Sequence, residues 1–245
     1  MKTSKTNAFT LIELLVVISI IAILAGIALP VFSEVLVRGN QTKALSNAKQ
    51  VATACSIWAM DYQGNFPHYK NMDPDPATGQ FTEATGTSAN SVLAGDLIPD
   101  YLADKTVFSI PKSAYCKVKT PGKSTELVAG ENEWAYIMGL SNTSVSRWPL
   151  IVDGPAPGAS ISSGGHYVAD DTQPGGVWRA KKAVCIRVDM SGAVETLYHP
   201  TGQTGSQIAA VIKRDGSTKD ALMQDANSDP AWLTGGTLLV PDLPQ

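Results

Sequence analysis

The chain has 245 residues and a formal net charge of −3, a balance that sets up no field drawing it to nucleic acid or an anionic surface. The length allows one domain with a real core, or a domain plus an extended element. Its 21 glycines and 15 prolines crowd between positions 64 and 245, which predicts a loop-rich C-terminal part.

Residues 1–8, MKTSKTNA, are short and polar, with Lys2 and Lys5 as the only charges. From Phe9 the chain turns apolar, and after Glu13 the stretch Leu14 to Phe32 runs 19 residues without a charge. As a helix that stretch spans roughly 28 Å, close to the hydrocarbon thickness of a bilayer. Lysines before it keep the leader cytoplasmic and send the chain beyond the helix across the membrane. A cleavable signal peptide has a shorter apolar run, roughly 7–15 residues, before a small-x-small site such as Gly26-Ile27-Ala28. It also leaves Glu13 without a role, as does a plain membrane anchor. A carboxylate costs about 2.5–3.5 kcal/mol at a membrane-helix centre, and somewhat less near an end.

Ala8-Phe9-Thr10-Leu11-Ile12-Glu13-Leu14-Leu15-Val16-Val17, with Pro30 further on, resembles the N-terminal signature of type IV prepilins and type II secretion pseudopilins, closely over residues 1–35. The resemblance implies that a prepilin peptidase cuts between Ala8 and Phe9 and that the new amine of Phe9 is N-methylated. The family usually has glycine before the cut, so Ala8 is a departure, and slower processing is expected. Burying the amine's charge in a filament core requires a partner. Glu13 lies one helical turn on. The resemblance implies that it meets the amine of a neighbouring subunit and fixes axial register, while Leu11, Val16, Ile20 and Leu24 supply apolar packing.

Pro30 should bend or locally melt the helix, because its ring removes a donor and crowds the preceding turn. Gly39-Asn40 is a second weak point. Beyond it Ala44, Leu45, Ala48, Val51, Cys55, Trp58 and Tyr62 recur at three- and four-residue steps, one apolar face suited to packing on a sheet. Gln63-Gly64-Asn65 ends the helix. The segment Asp61 to Pro67, DYQGNFP, resembles the helix exit of many pseudopilin-like sequences. Residues 68–90, with Asp73-Pro74-Asp75-Pro76, are predicted as a surface loop, with a short helix from Val92 to Leu102 after it, interrupted near Pro99.

Strands are predicted at Thr106–Ile110, Leu127–Ala129, Trp134–Met138, Leu150–Val152, Ala183–Asp189 and Ala193–Tyr198. The last two form a hairpin through Met190-Ser191-Gly192, with glycine at the tight position. The segments Pro149–Asp153 and Val184–Gly192 loosely resemble a strand–Asp and strand–Asp–Gly pattern of pseudopilin-like families. Residues 154–182 are a Gly/Ser/Pro-rich excursion. A last helix is expected from Ser217 to Asp225, N-capped by Ser217 with Asp220 in the box position.

Cys55, Cys116 and Cys185 contain no C-x-x-C pair, which argues against a zinc or redox site. Two states are open to them: a Cys116–Cys185 disulfide with Cys55 left on the helix, or three buried thiols. His68, His166 and His199 lack metal spacing, and His166 near Asp170 and Asp171 has no nucleophile elbow beside it. Some major pseudopilins hold calcium in a C-terminal loop, and Asp153, Asp170, Asp171 and Asp189 are oxygen donors, but not in EF-hand spacing. No cofactor is expected and no metal ligand is assigned. Trp148 and Trp178 could be exposed for surface binding, although core or loop-anchoring roles are commoner.

The expected fold is α+β. A leader (1–8) precedes a long transmembrane and assembly helix (9–62), whose second half packs on a small antiparallel sheet in a periplasmic or extracellular head (63–245). The expected function is structural, not enzymatic: a subunit of a type II secretion pseudopilus, trimmed by prepilin peptidase/methyltransferase and polymerised by an inner-membrane platform and its ATPase. The subunit would sit as a single-pass inner-membrane protein with a periplasmic head before assembly, and in a pseudopilus or surface filament after it. Two other functions stay open: a type IV pilin for adhesion, motility or DNA uptake, and a membrane-tethered ligand-binding protein.

Overall fold

A computed structural model describes residues 11–68, 88–114, 116, 127–199, 210–214, 219–227, 231–234 and 236–242. The chain divides into two compact units, Met1–Asn40 and Gln41–Gln245. Helix α1 (Leu11–Asp61) contributes to both, and its helical assignment runs through Pro30 and Gly39.

In the second unit α1 buries Ala44, Ala48, Val51, Ala52, Ala54, Cys55, Trp58 and Ala59. This is the apolar face expected from the periodicity, except that Leu45 is half-buried and Tyr62 is 38% exposed. Five of the eight residues it buries are alanines. Trp58 stacks on Tyr62 with centroids 3.7 Å apart and meets His68 edge-on at 5.2 Å. The helix stops where Gln63 (φ 55°) and Gly64 (φ 85°) turn left-handed, and Gly64 N–H donates back to Ala59 O over 2.8 Å. A side chain at Gly64 would also run into Asn142. The exit strap is then tied to the end of the sheet: Phe66 N donates to Leu140 O (3.1 Å), and Tyr136 Oη to Pro67 O (2.7 Å).

Helix α2 (Ala89–Leu97) is N-capped by Ser88, whose hydroxyl accepts from Ser91 N. It starts earlier and ends sooner than the predicted Val92–Leu102 helix, stopping just before Pro99 as the restriction on pre-proline residues requires. Thr106–Ile110 is not a strand. Asp104 accepts from both Thr106 N (2.9 Å) and its hydroxyl (2.7 Å), and this cap winds Lys105–Phe108 into a 3₁₀ turn. Leu127–Ala129 is not a strand either, because Val128 N is taken by the Glu131 carboxylate.

The sheet has five antiparallel strands: β1 (Trp134–Met138), β2 (Pro149–Asp153), β3 (Lys182–Arg187), β4 (Gly192–Thr196) and β5 (Thr237–Leu239), in the order β4-β3-β2-β1-β5. β2 is buried along its whole length, whereas β4 at the edge is only half-covered. Three-residue β5 is not among the predicted strands; it is too short for any alternation to show. The β3–β4 hairpin forms as predicted, but its left-handed residue is Met190 (φ 63°), not Gly192. Gly192 opens β4 opposite Ile186, and a Cβ there would collide with the Ile186 Cδ1 and lie 3.0 Å from the Lys49 Cε. Leu45 of α1 reaches the same spot, its Cδ1 3.2 Å from where that Cβ would lie.

The expected C-terminal helix is absent from its described part, 219–225, which forms turns and bridges; Ser217 lies outside the described residues. Asp220 does not close a capping box. It accepts from Gly165 N (2.8 Å) and Leu222 N (2.9 Å), and ties the excursion to the C-terminal segment. Cys55, Cys116 and Cys185 are buried and not joined in a disulfide, so the Cys116–Cys185 bridge is not formed.

Candidate functional site

The candidate assembly surface is the first part of α1. Every Leu, Ile, Val and Phe from Leu11 to Leu36 is exposed, Leu24 by 62% and Phe32 by 65%. So large an apolar surface needs lipid or a protein partner around it. The helix is long and apolar enough to cross a membrane. Its few polar groups are prepared for such surroundings: the Ser19 hydroxyl donates to Leu15 O (2.8 Å) and the Ser33 hydroxyl to Pro30 O (2.7 Å). Each therefore enters an apolar medium with its donor satisfied. Glu13 stands on this exposed segment, while Ala8 and Phe9 lie outside the described residues.

Among the described residues, no group of three or more His, Cys, Asp or Glu side chains is placed to hold a metal. The four aspartates considered as calcium donors each make contacts within the protein. Asp170 accepts from Thr172 N and its hydroxyl, and Asp171 pairs with Arg179 at 2.8 Å. Asp189 accepts from Ser191 N at 2.9 Å. These bonds hold all three carboxyls below the usual range. His68 packs edge-on against Trp58, and the backbone carbonyl of His166 accepts from Ala156 N.

Asp153 is different. It is buried at the end of β2, where its Oδ2 accepts from Trp178 Nε1 (2.7 Å) and Val184 N (2.9 Å). Burial pushes its carboxyl up to about 8, with the neighbouring Glu133 charge adding to the rise. Its backbone carbonyl accepts from Tyr167 Oη (2.9 Å). Trp178 and Tyr167 belong to the Gly/Ser/Pro-rich excursion, so Asp153 pins that segment to the sheet. Trp178 and Trp148 are both buried, which removes them as surface-binding groups. Nothing in the sequence pattern signals the buried ion pair Lys105–Glu131 (2.9 Å), whose partners lie 26 positions apart.

Comparison with known proteins bears on the exposed helix first. Residues 3–29 match the family model described as the prokaryotic N-terminal methylation motif. A type IV major fimbrial protein FimA of Dichelobacter nodosus is 30% identical over 181 residues, covering 73% of this chain and 98% of that protein. The chain belongs to the type IV prepilin family. Other prepilin relatives match over less. The type IV major pilin protein PilA of Myxococcus xanthus is 46% identical over 50 residues, 20% of this chain and 23% of that protein. Prepilin peptidase-dependent protein D of Escherichia coli is 33% identical over 90 residues, 36% of this chain and 62% of that protein. No solved structure matches this prepilin. The family is one of structural subunits that are processed at the N-terminus, anchored by one helix and assembled into filaments.

Proposed function

We infer that this prepilin is the repeating subunit of a surface fibre, cut between Ala8 and Phe9, N-methylated on Phe9, and polymerised through α1. The observation that carries the proposal is that every Leu, Ile, Val and Phe from Leu11 to Leu36 is exposed, with Glu13 near the start of the segment. In the membrane lipid covers that surface; in the fibre the same surface of other subunits does. Both surroundings are apolar, so transfer between them gains little by itself. Pairing of the Phe9 amine with Glu13 of a neighbour supplies register, and an inner-membrane platform with its ATPase supplies the work. Before assembly the head faces the periplasm.

The fimbrial form is favoured by relatives named type IV major fimbrial proteins that this chain covers almost end to end. A secretion pseudopilus is the second form, favoured by the Asp61–Pro67 exit, which resembles that of pseudopilin-like sequences. The decisive experiment is the mass and N-terminal sequence of the protein from its native membranes, with sheared surface fibres collected in parallel. A chain beginning at methylated Phe9 and recovered in the sheared fraction is the expected result. An intact Met1, or a cut after Ala28, would refute it. Mature protein that stays cell-bound would replace the surface fibre with the secretion pseudopilus.

A further inference from the structure

The Gly/Ser/Pro-rich excursion between β2 and β3 ends in a strained turn. Arg179 (φ 54°) and Ala180 (φ 53°) are consecutive left-handed residues that carry side chains. Such a conformation costs energy at each position and persists only where neighbouring contacts hold it. Gly175 (φ 80°) is left-handed on the other side, so residues 176–178 form a short arm between two turns. Beyond the arm the chain is fixed: Lys181 O accepts from Leu197 N (3.1 Å), and Lys182 opens β3 opposite Thr196.

Few contacts hold the arm. Two backbone bonds close its turn, from Arg179 N to Gly176 O (2.8 Å) and from Lys181 N to Trp178 O (3.1 Å). Lys112 Nζ donates to Val177 O (3.3 Å), and Arg179 pairs with Asp171 on the surface, where an ion pair contributes little. The one buried side-chain bond is that of Trp178 Nε1 to Asp153 Oδ2 (2.7 Å). The other donor to that oxygen, Val184 N, belongs to β3, which is paired with β2 and β4 and cannot leave. Asp153 is therefore closed in by a fixed strand on one side and by a short arm on the other, with solvent-exposed Arg179 next along the chain.

The closed arm suits a neutral acid. Asp153 Oδ2 accepts both N–H bonds, and Oδ1, which has no hydrogen-bond partner among the described residues, is the oxygen left to carry the proton. Losing that proton creates a sealed charge that no neighbour neutralises. Glu133, before β1, adds a like charge, and the Cys116 thiol is bonded to Glu133. Tyr167 Oη already donates to the Asp153 carbonyl. At the outer side, Arg179 is turned to Asp171 and Lys112 to Val177 O. Water is the remaining source of solvation, and displacing Trp178 admits it. We propose that residues 176–178 are a latch, shut over Asp153 while the carboxyl holds its proton and swung out with Trp178 when the proton leaves. The latch belongs to the head and works whether or not the chain polymerises.

Amide hydrogen exchange of the detergent-solubilised full-length protein between pH 5 and 9 tests this. Exchange divided by each amide's intrinsic rate gives an opening constant. At Arg179 N and Lys181 N that constant should rise about tenfold per pH unit and level off above about 8, because the open arm lets Asp153 lose a proton that the closed arm retains. It should also exceed the constant of the β1 amides by roughly a hundredfold, since the arm opens without unfolding the sheet. In Asp153→Asn the arm's constant should not vary with pH. Trp178→Phe keeps an aromatic ring but loses the donor, and should raise the constant roughly tenfold at pH 5. Arm amides that open only as often as β1, a wild-type constant independent of pH, an unchanged slope in Asp153→Asn, or no effect of Trp178→Phe would each overturn the latch.

Discussion

Replacing Asp153 by asparagine should stabilise the head above neutral pH and flatten its pH dependence. In the folded chain the Asp153 carboxyl is raised to about 8 from 3.8, mainly by burial. The unfolded chain therefore releases this proton at lower pH than the folded one. Stability is fully present below the unfolded value, falls as pH rises towards about 8, and then levels off. At pH 7 the difference spans about three pH units at 1.36 kcal/mol each, a penalty of order 4 kcal/mol. Asparagine carries no such penalty. Its carbonyl oxygen can accept from Trp178 Nε1 and Val184 N as Oδ2 does now, and its amide nitrogen takes the place of Oδ1, the carboxylate atom without a hydrogen bond, beside Glu133. Urea unfolding of detergent-solubilised full-length protein, monitored by tryptophan fluorescence from pH 4 to 9, measures this directly. Asp220, raised to about 6 by burial, leaves a smaller slope at the acid end in both proteins. Asp153→Ala is the control: at pH 4, where the ionisation penalty is small, it orphans two buried donors and should cost roughly 2–6 kcal/mol. An Asp153→Asn protein with the same slope as wild type between pH 6 and 8 would refute the assignment.

Other changes have equally definite outcomes. Gly192→Ala pushes a methyl into Ile186 where α1 crosses the hairpin and should cost about 1–3 kcal/mol, read as a lowered Tm. Lys105→Ala leaves the Glu131 charge buried without its lysine and should cost about 3–5 kcal/mol, whereas Lys105→Met with Glu131→Leu should recover most of it. Cys55 and Cys116 are buried with their thiols pushed up, and Cys185 is buried too; all three should react with a thiol reagent only on unfolding, and rapid labelling of the native head would contradict their placement. Glu13→Ala should leave processing and membrane level unchanged while abolishing sheared fibres; fibres at wild-type yield would show that register does not depend on the carboxylate.

The sequence alone determined the features that depend on local order along the chain. The charge-free run, Glu13 near its start, the three- and four-residue recurrence of Ala44 to Trp58 and the strands Trp134–Met138 and Leu150–Val152 are legible because burial in helix, strand and membrane follows runs of a few neighbouring positions. Tertiary structure decided what depends on residues far apart in sequence. Two other departures are local side-chain caps that apolar periodicity does not register: Asp104 turned an apolar Thr106–Ile110 into a 3₁₀ turn, and Glu131 took the amide that a Leu127–Ala129 strand would have paired. Gly192 sits where Ile186 of β3 and Leu45 and Lys49 of α1 converge, a crowding that its own turn does not reveal. The four aspartates looked alike as oxygen donors, yet only Asp153 is sealed from water, because Trp178 and Val184 close over it from the excursion and from β3. Sequence spacing fixes which side chains share a helix or strand face, but a side chain's dielectric surroundings and remote partners exist only once the chain has closed on itself.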